Sequence, residues 1–148
     1  MNDRSKSRSA ARLAAVQALY QLEMEGTPVH ILLHEFHQHR LGATIEDVTY
    51  TPAEEPFFDD VVMGVDRRRD EIDAAITARL SSGWSLDRLD KPMRQILRAG
   101  TYELLARPDV GTGTVISEYV DVAHAFYDKR EAGFVNGLLD GVSKDVRK

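Results

Sequence analysis

The chain has no cysteine, which excludes a disulfide framework, a thiolate nucleophile and any zinc site built on cysteine, and suits a reducing compartment. It has no apolar run near the roughly eighteen residues that a membrane span needs. The opening residues, Met1 to Arg8, lead into no apolar signal core. A cytoplasmic protein without membrane attachment is the expectation. Aromatic residues are scarce, at 7% with a single tryptophan. Clean apolar alternation over a strand's length is missing, and only Thr44 to Thr51 has a β-like composition. Internal repeats and low-complexity segments are absent as well.

What is present is helical periodicity over 148 residues, the size of one ordinary domain. Leu13, Val16, Tyr20 and Met24 gather on one side of a first helix from about Ser9 to Glu25, which Gly26 can end. Thr27 and Pro28 suit the cap and first position of a second helix, with Val29, Leu32, Leu33 and Phe36 as its stripe. Residues 42–53 read as a polar, acidic loop. Phe57, Phe58, Val61, Val62 and Val65, then Ile72, Ile76 and Leu80, fit either one bent helix or two. Ser81, Ser82 and Gly83 break the pattern before Trp84, Leu86 and Leu89, an apolar patch in which Trp84 is expected to be core. A fifth helix starts near Asp90 to Pro92 and carries Met93, Ile96, Leu97, Gly100 and Leu104, with Gly100 marking a close helix contact. Val115, Tyr119, Val122 and Phe126 share a sixth face, and Phe134, Val135, Leu138, Leu139 and Val142 a seventh. The expected architecture is all-α, about seven short helices in a compact bundle of two helical subdomains, forming a single domain over residues 1–148.

Charge is uneven. The total is −5, from 19 Lys and Arg against 24 Asp and Glu. Arg4, Lys6, Arg8 and Arg12 make the start a basic, partly flexible arm over residues 1–8 and the helix turn beyond it. Leu41 to Asp66 contains seven acidic residues and no Lys or Arg, and is expected to face water or a basic partner.

Chemistry-bearing patterns are few. His30, His34 and His37 fall on one flank of the second helix, but Gln38 stands where a zinc-protease motif needs its second histidine, so no metal site is expected. Gly111 to Thr114 lacks the lysine of a phosphate loop and reads as a helix connection with a threonine cap. No nucleophile elbow or paired-carboxylate motif argues for an enzyme. The stronger signal is cation spacing. Arg8 and Arg12 are four apart, so on one helix face they can touch successive phosphates, and Arg94 and Arg98 repeat that spacing. Tyr20, Phe126 and Phe134 could serve as stacking platforms for single-stranded RNA, although each taken alone is more often a core residue; spacing does not decide between the two.

Arg8, Arg12, Val16, Gln17, Ala18, Leu19 and Tyr20, then Trp84 to Leu89, Ile96 to Leu104, Pro108 to Val110, Val115 to Glu118 and Phe134 to Asp140, together resemble the NusB family of transcription antitermination factors over nearly the whole chain. The resemblance implies an all-helical protein without metal or organic cofactor. It implies pairing with NusE, a small-subunit ribosomal protein, binding of the pair to the single-stranded boxA element of nascent ribosomal RNA, and read-through of terminators by the RNA polymerase antitermination complex. By position it implies an RNA face of Arg8, Arg12, Tyr20, Phe126 and Phe134, with Arg130 beside it, and a NusE surface of Arg94, Thr112 and Glu118. Tyr102 and Glu103 fall in the signature as structural residues. Some members form dimers that hide the RNA face, so a homodimer is the alternative to a monomer. Ser7, Ser9 and Ala10 stand where relatives often carry arginines, which implies weaker and less salt-sensitive RNA binding. Two other readings compete: a protein-only adaptor of the transcription complex, and a NusB-like domain of the kind found in RNA cytosine methyltransferases.

Overall fold

In the computed structural model, residues 3–39, 44–45, 48–49 and 54–147 are described. They form seven α-helices: α1 Asp3–Glu25, α2 Val29–His39, α3 Glu54–Arg67, α4 Arg69–Thr77, α5 Lys91–Ala106, α6 Thr112–His124 and α7 Lys129–Val146. A 3-10 turn at Leu86–Arg88 precedes α5. Two short strands, β1 Thr44–Ile45 and β2 Val48–Thr49, pair antiparallel between α2 and α3. They lie inside the segment of β-like composition, and the rest of the expected acidic loop falls outside the described residues.

The helix signals are local. Gly26 adopts φ 68°, a left-handed conformation that ends α1 at little cost to glycine. Asp90 caps α5, its carboxylate accepting from the Met93 amide, and Pro92 sits in the first turn, where its missing N–H costs nothing. A break at Arg68 separates α3 from α4, so two helices form where one bent helix was the other option.

Several sequence expectations are corrected. With no glycine or proline in its opening turns, α1 begins at Asp3, inside the segment read as a partly flexible arm. The Thr27 hydroxyl donates to the Glu25 carboxylate, and α2 starts only at Val29. Gly111, not a threonine, is the cap residue of α6. The inward face of α1 is its alanine side, with Ala11, Ala14, Ala15, Ala18, Val16 and Leu19 buried, whereas Tyr20 and Met24 stay exposed. Small side chains let α1 approach α3 and α5 closely, which outweighs the larger apolar residues on its other flank.

The bundle is built around α5, which packs against α1, α3, α4, α6 and α7. Their buried side chains join in one continuous cluster. Close approach needs glycine at two places. A Cβ on Gly64 of α3 would overlap the Tyr102 ring of α5, and one on Gly100 would lie 2.8 Å from a Leu139 methyl of α7.

Candidate nucleic-acid interface

Arg12 is the clearest departure from the expected site. Its side chain is 2% exposed. Its Nε and Nη2 donate to the two carboxylate oxygens of Glu103 at 2.9 and 3.0 Å, and its Nη1 donates to Glu118 at 2.7 Å. The Tyr119 hydroxyl also donates to Glu103, and Ser9 donates to Glu118 at 2.6 Å. Burial opposes the Arg12 charge, but hydrogen bonding and attraction to Glu103, helped by Tyr119 and Glu118, outweigh it and raise its pKa further. Desolvation, with the charge of Glu103 beside it, pushes the Tyr119 phenol well above its ordinary pKa. Arg12 therefore ties α1 to α5 and α6 and offers no free edge to a phosphate. The four-residue spacing with Arg8 is on one helix, as expected; that spacing says nothing of which face turns inward.

Arg8 lies nearer the surface. Its guanidinium carbon stands 4.4 Å from the centroid of the Phe57 ring, and its Nε is 3.6 Å from Glu54. Arg12 and Arg107 approach the same ring at 4.9 and 5.1 Å. Glu54 is buried against this cluster, so that part of the acidic stretch turns inward instead of facing water.

The expected partner-binding residues are also engaged. Arg94 donates to Glu23 at 3.0 Å and to the Leu89 carbonyl, and Glu23 also receives Arg98, which pairs with Asp73. Arg98 is thus buried, contrary to the expectation that it repeats an outward cation row. Thr112 accepts from Arg147 at 3.0 Å. Glu118 belongs to the Arg12 network. The cluster around Arg94 shares no hydrogen-bonding side chain with Thr112 or Glu118. Arg147 escaped sequence reasoning. It donates to the carbonyls of Glu103, Leu104, Arg107 and Val110, covering the C-terminal end of α5; a lone arginine near a chain end carries no pattern.

The exposed rings tell a different story. Tyr20 and Phe126 are 38% and 39% exposed and line one groove of about 580 Å³ with Met24, Phe36 and Pro92. Phe126 lies beyond the end of α6 and so escapes the buried face of Val115, Tyr119 and Val122. Phe134, 39% exposed, stands on α7 in a second groove with Arg130. Trp84, expected in the core, is 55% exposed there; after Gly83, at φ 87°, Leu86 turns inward in its place. On α2, His30 and His34 are exposed while His37 pairs with Asp59 at 2.6 Å. Among the described residues no group of three metal-ligating side chains comes together, and no helix is long and apolar enough to cross a membrane.

Fold and surface together define a class: an all-helical bundle whose buried charges brace the helices while aromatic rings and a few cations face outward along adjoining grooves, as nucleic-acid-binding proteins present them. The NusB family profile matches residues 9–144. The transcription antitermination protein NusB of Sphingopyxis alaskensis is 72% identical over 148 residues, covering 100% of this chain and 99% of that protein. That of Novosphingobium aromaticivorans is 72% identical over 142 residues, with 96% of each covered. A crystal structure of antitermination factors NusB and NusE in complex with dsRNA contains a chain 26% identical, superposing with a TM-score of 0.80 over 95% of this chain and 98% of that one. The chain belongs to the NusB family, and the relatives it matches are transcription antitermination proteins.

Proposed function

We propose that this protein binds the boxA element of nascent ribosomal RNA together with NusE in the cytoplasm, and that the assembly helps RNA polymerase read through terminators. The observation that carries the RNA reading is the pair of exposed rings, Tyr20 and Phe126, facing one groove. Aromatic faces left in water suit unpaired bases, which stack on them at about 1–3 kcal/mol each. A base inside a duplex has both faces occupied, so the groove favours single-stranded RNA. The matching NusB–NusE complex, which contains dsRNA, supports RNA and NusE as partners; the preference for an unpaired strand rests on the exposed rings alone.

Arg8, Arg130 and Phe134 extend this RNA face, while Arg12 supports it from beneath through α1. Arg94, Thr112 and Glu118 remain the proposed NusE-side residues, acting through the clusters they brace. With Arg12 withdrawn, few cations meet the RNA, so affinity comes chiefly from the pair with NusE. Tyr20→Ala combined with Phe126→Ala should weaken RNA binding by about tenfold or more while leaving thermal stability and NusE binding intact. Unchanged RNA affinity in that variant removes the groove from the RNA path.

A further inference from the structure

Two carboxylates open α3, and they differ. Glu55 is half-exposed and can serve the positive end of the helix from water. Glu54 is 1% exposed. Burying a carboxylate is costly unless a cation meets it, and the cation within ion-pair reach among the described residues is Arg8 of α1, whose Nε lies 3.6 Å from Glu54 Oε2. At that distance the two atoms attract without a hydrogen bond. Both are shielded from water, and neither has another partner among the described residues.

The arrangement fixes which way the Arg8 guanidinium points. Its Nε edge turns inward to Glu54, and its central carbon stands 4.4 Å from the centroid of the Phe57 ring, a core residue 2% exposed. The side chain keeps 22% of its surface open. Its Nη1 and Nη2 are not shielded as Nε is, and they donate to no described residue. The two other arginines at that ring are spent: Arg12 on Glu103 and Glu118, Arg107 on Asp60 and Asp109. Arg8 is thus the member of the trio whose terminal nitrogens stay available, and a swing inward would carry it toward two like charges.

We propose that Glu54 and Phe57 are positioning residues for Arg8. Carboxylate and ring hold the guanidinium with its terminal fork outward, in the geometry that meets two oxygens of one backbone phosphate. Neither of them touches the RNA. Their contribution is pre-organisation, since a long side chain that is already ordered gives up less freedom on binding. The inference rests on the RNA-binding reading of Arg8 and adds the residues behind it.

Charge alone and positioning predict opposite effects of Glu54→Gln. Removing a carboxylate beside a phosphate-binding cation tightens RNA binding if only charge counts; if Glu54 orients Arg8, binding weakens despite the gain in positive charge. The test titrates the full chain with its NusE into labelled single-stranded boxA RNA at several salt concentrations, with Glu54→Gln and Phe57→Leu each made in the unaltered protein and in Arg8→Ala. Expected is a weakening of about two- to tenfold by either change in the unaltered protein and none in Arg8→Ala. Arg8→Lys, which keeps the charge without the planar fork, should keep the salt slope and still bind more weakly. Tighter binding by Glu54→Gln, or equal losses in both backgrounds as a purely structural role gives, overturns the proposal. So does Arg8→Lys binding as tightly as the unaltered protein, a comparison that does not depend on an α3 variant folding. Full affinity in Arg8→Ala removes Arg8 from the RNA and overturns it too, while the groove of Tyr20 and Phe126 stands on its own test. Failure of the unaltered protein to bind any RNA takes both readings down.

Discussion

Arg12 shows how differently one residue reads from sequence and in the fold. A helical arginine near a basic chain start suggests phosphate, yet the side chain is enclosed with Glu103 and Glu118, whose positions on α5 and α6 lie far away in sequence. Removing it leaves the fully buried Glu103 without its cation, and breaking a buried pair this way costs about 3–5 kcal/mol. Arg12→Ala is therefore expected to lower the thermal midpoint steeply; where folded, its RNA affinity should keep the salt slope of the unaltered protein. A stable variant whose slope drops by about one ion would return Arg12 to the RNA. Tyr102 offers a residue-scale test of pH. Desolvation, reinforced by its 2.6 Å hydrogen bond to Asp60, pushes its phenol from 10.0 up to about 12. Between those values the folded chain keeps a proton that the unfolded chain releases. The contribution is whole below pH 10 and is lost as pH rises through the window. Urea unfolding across this range should show falling stability, reduced in Tyr102→Phe; identical pH dependence in the two proteins would contradict it.

At the scale of helices, the start of α5 was legible from its capping Asp90 with Pro92, and the buried face of α7 from Val135, Leu138, Leu139 and Val142, though Phe134, read onto that face, stays exposed. The orientation of α1 was not, because its buried surface is made of alanines, whose value lies in letting neighbours come close and not in their own hydrophobicity. The same logic governs Gly64. An alanine there overlaps Tyr102, and the strain of about 1–3 kcal/mol exceeds the gain in helix propensity of about 1 kcal/mol. Gly137 of α7, exposed and with open space around a Cβ, is the opposite case. Gly64→Ala should lower the denaturant midpoint and Gly137→Ala should raise it, by about 0.5–1 kcal/mol for the latter. A stabilised Gly64→Ala would mean that α3 and α5 are less closely packed than the structure has them.

At the scale of the whole molecule, buried ion pairs brace the helices while rings that could have completed the core stay outside. Sequence periodicity placed Tyr20, Phe126 and Phe134 on helix faces but left core and surface open; Trp84 it assigned to the wrong side, because the turn at Gly83 and the competing Leu86 decide which apolar residue goes in. The family resemblance supplied the RNA and NusE reading, and the grooves are where we propose that the RNA lies. The most direct test of that reading is a fluorescence-anisotropy titration of labelled single-stranded boxA RNA, beside a scrambled RNA, with this protein alone and with an equimolar mixture with its NusE at several salt concentrations. Selective binding to boxA that tightens when NusE is present is the predicted result. Equal, weak binding to both RNAs at every salt concentration, with NusE or without, would contradict the account and leave a protein-only adaptor in its place.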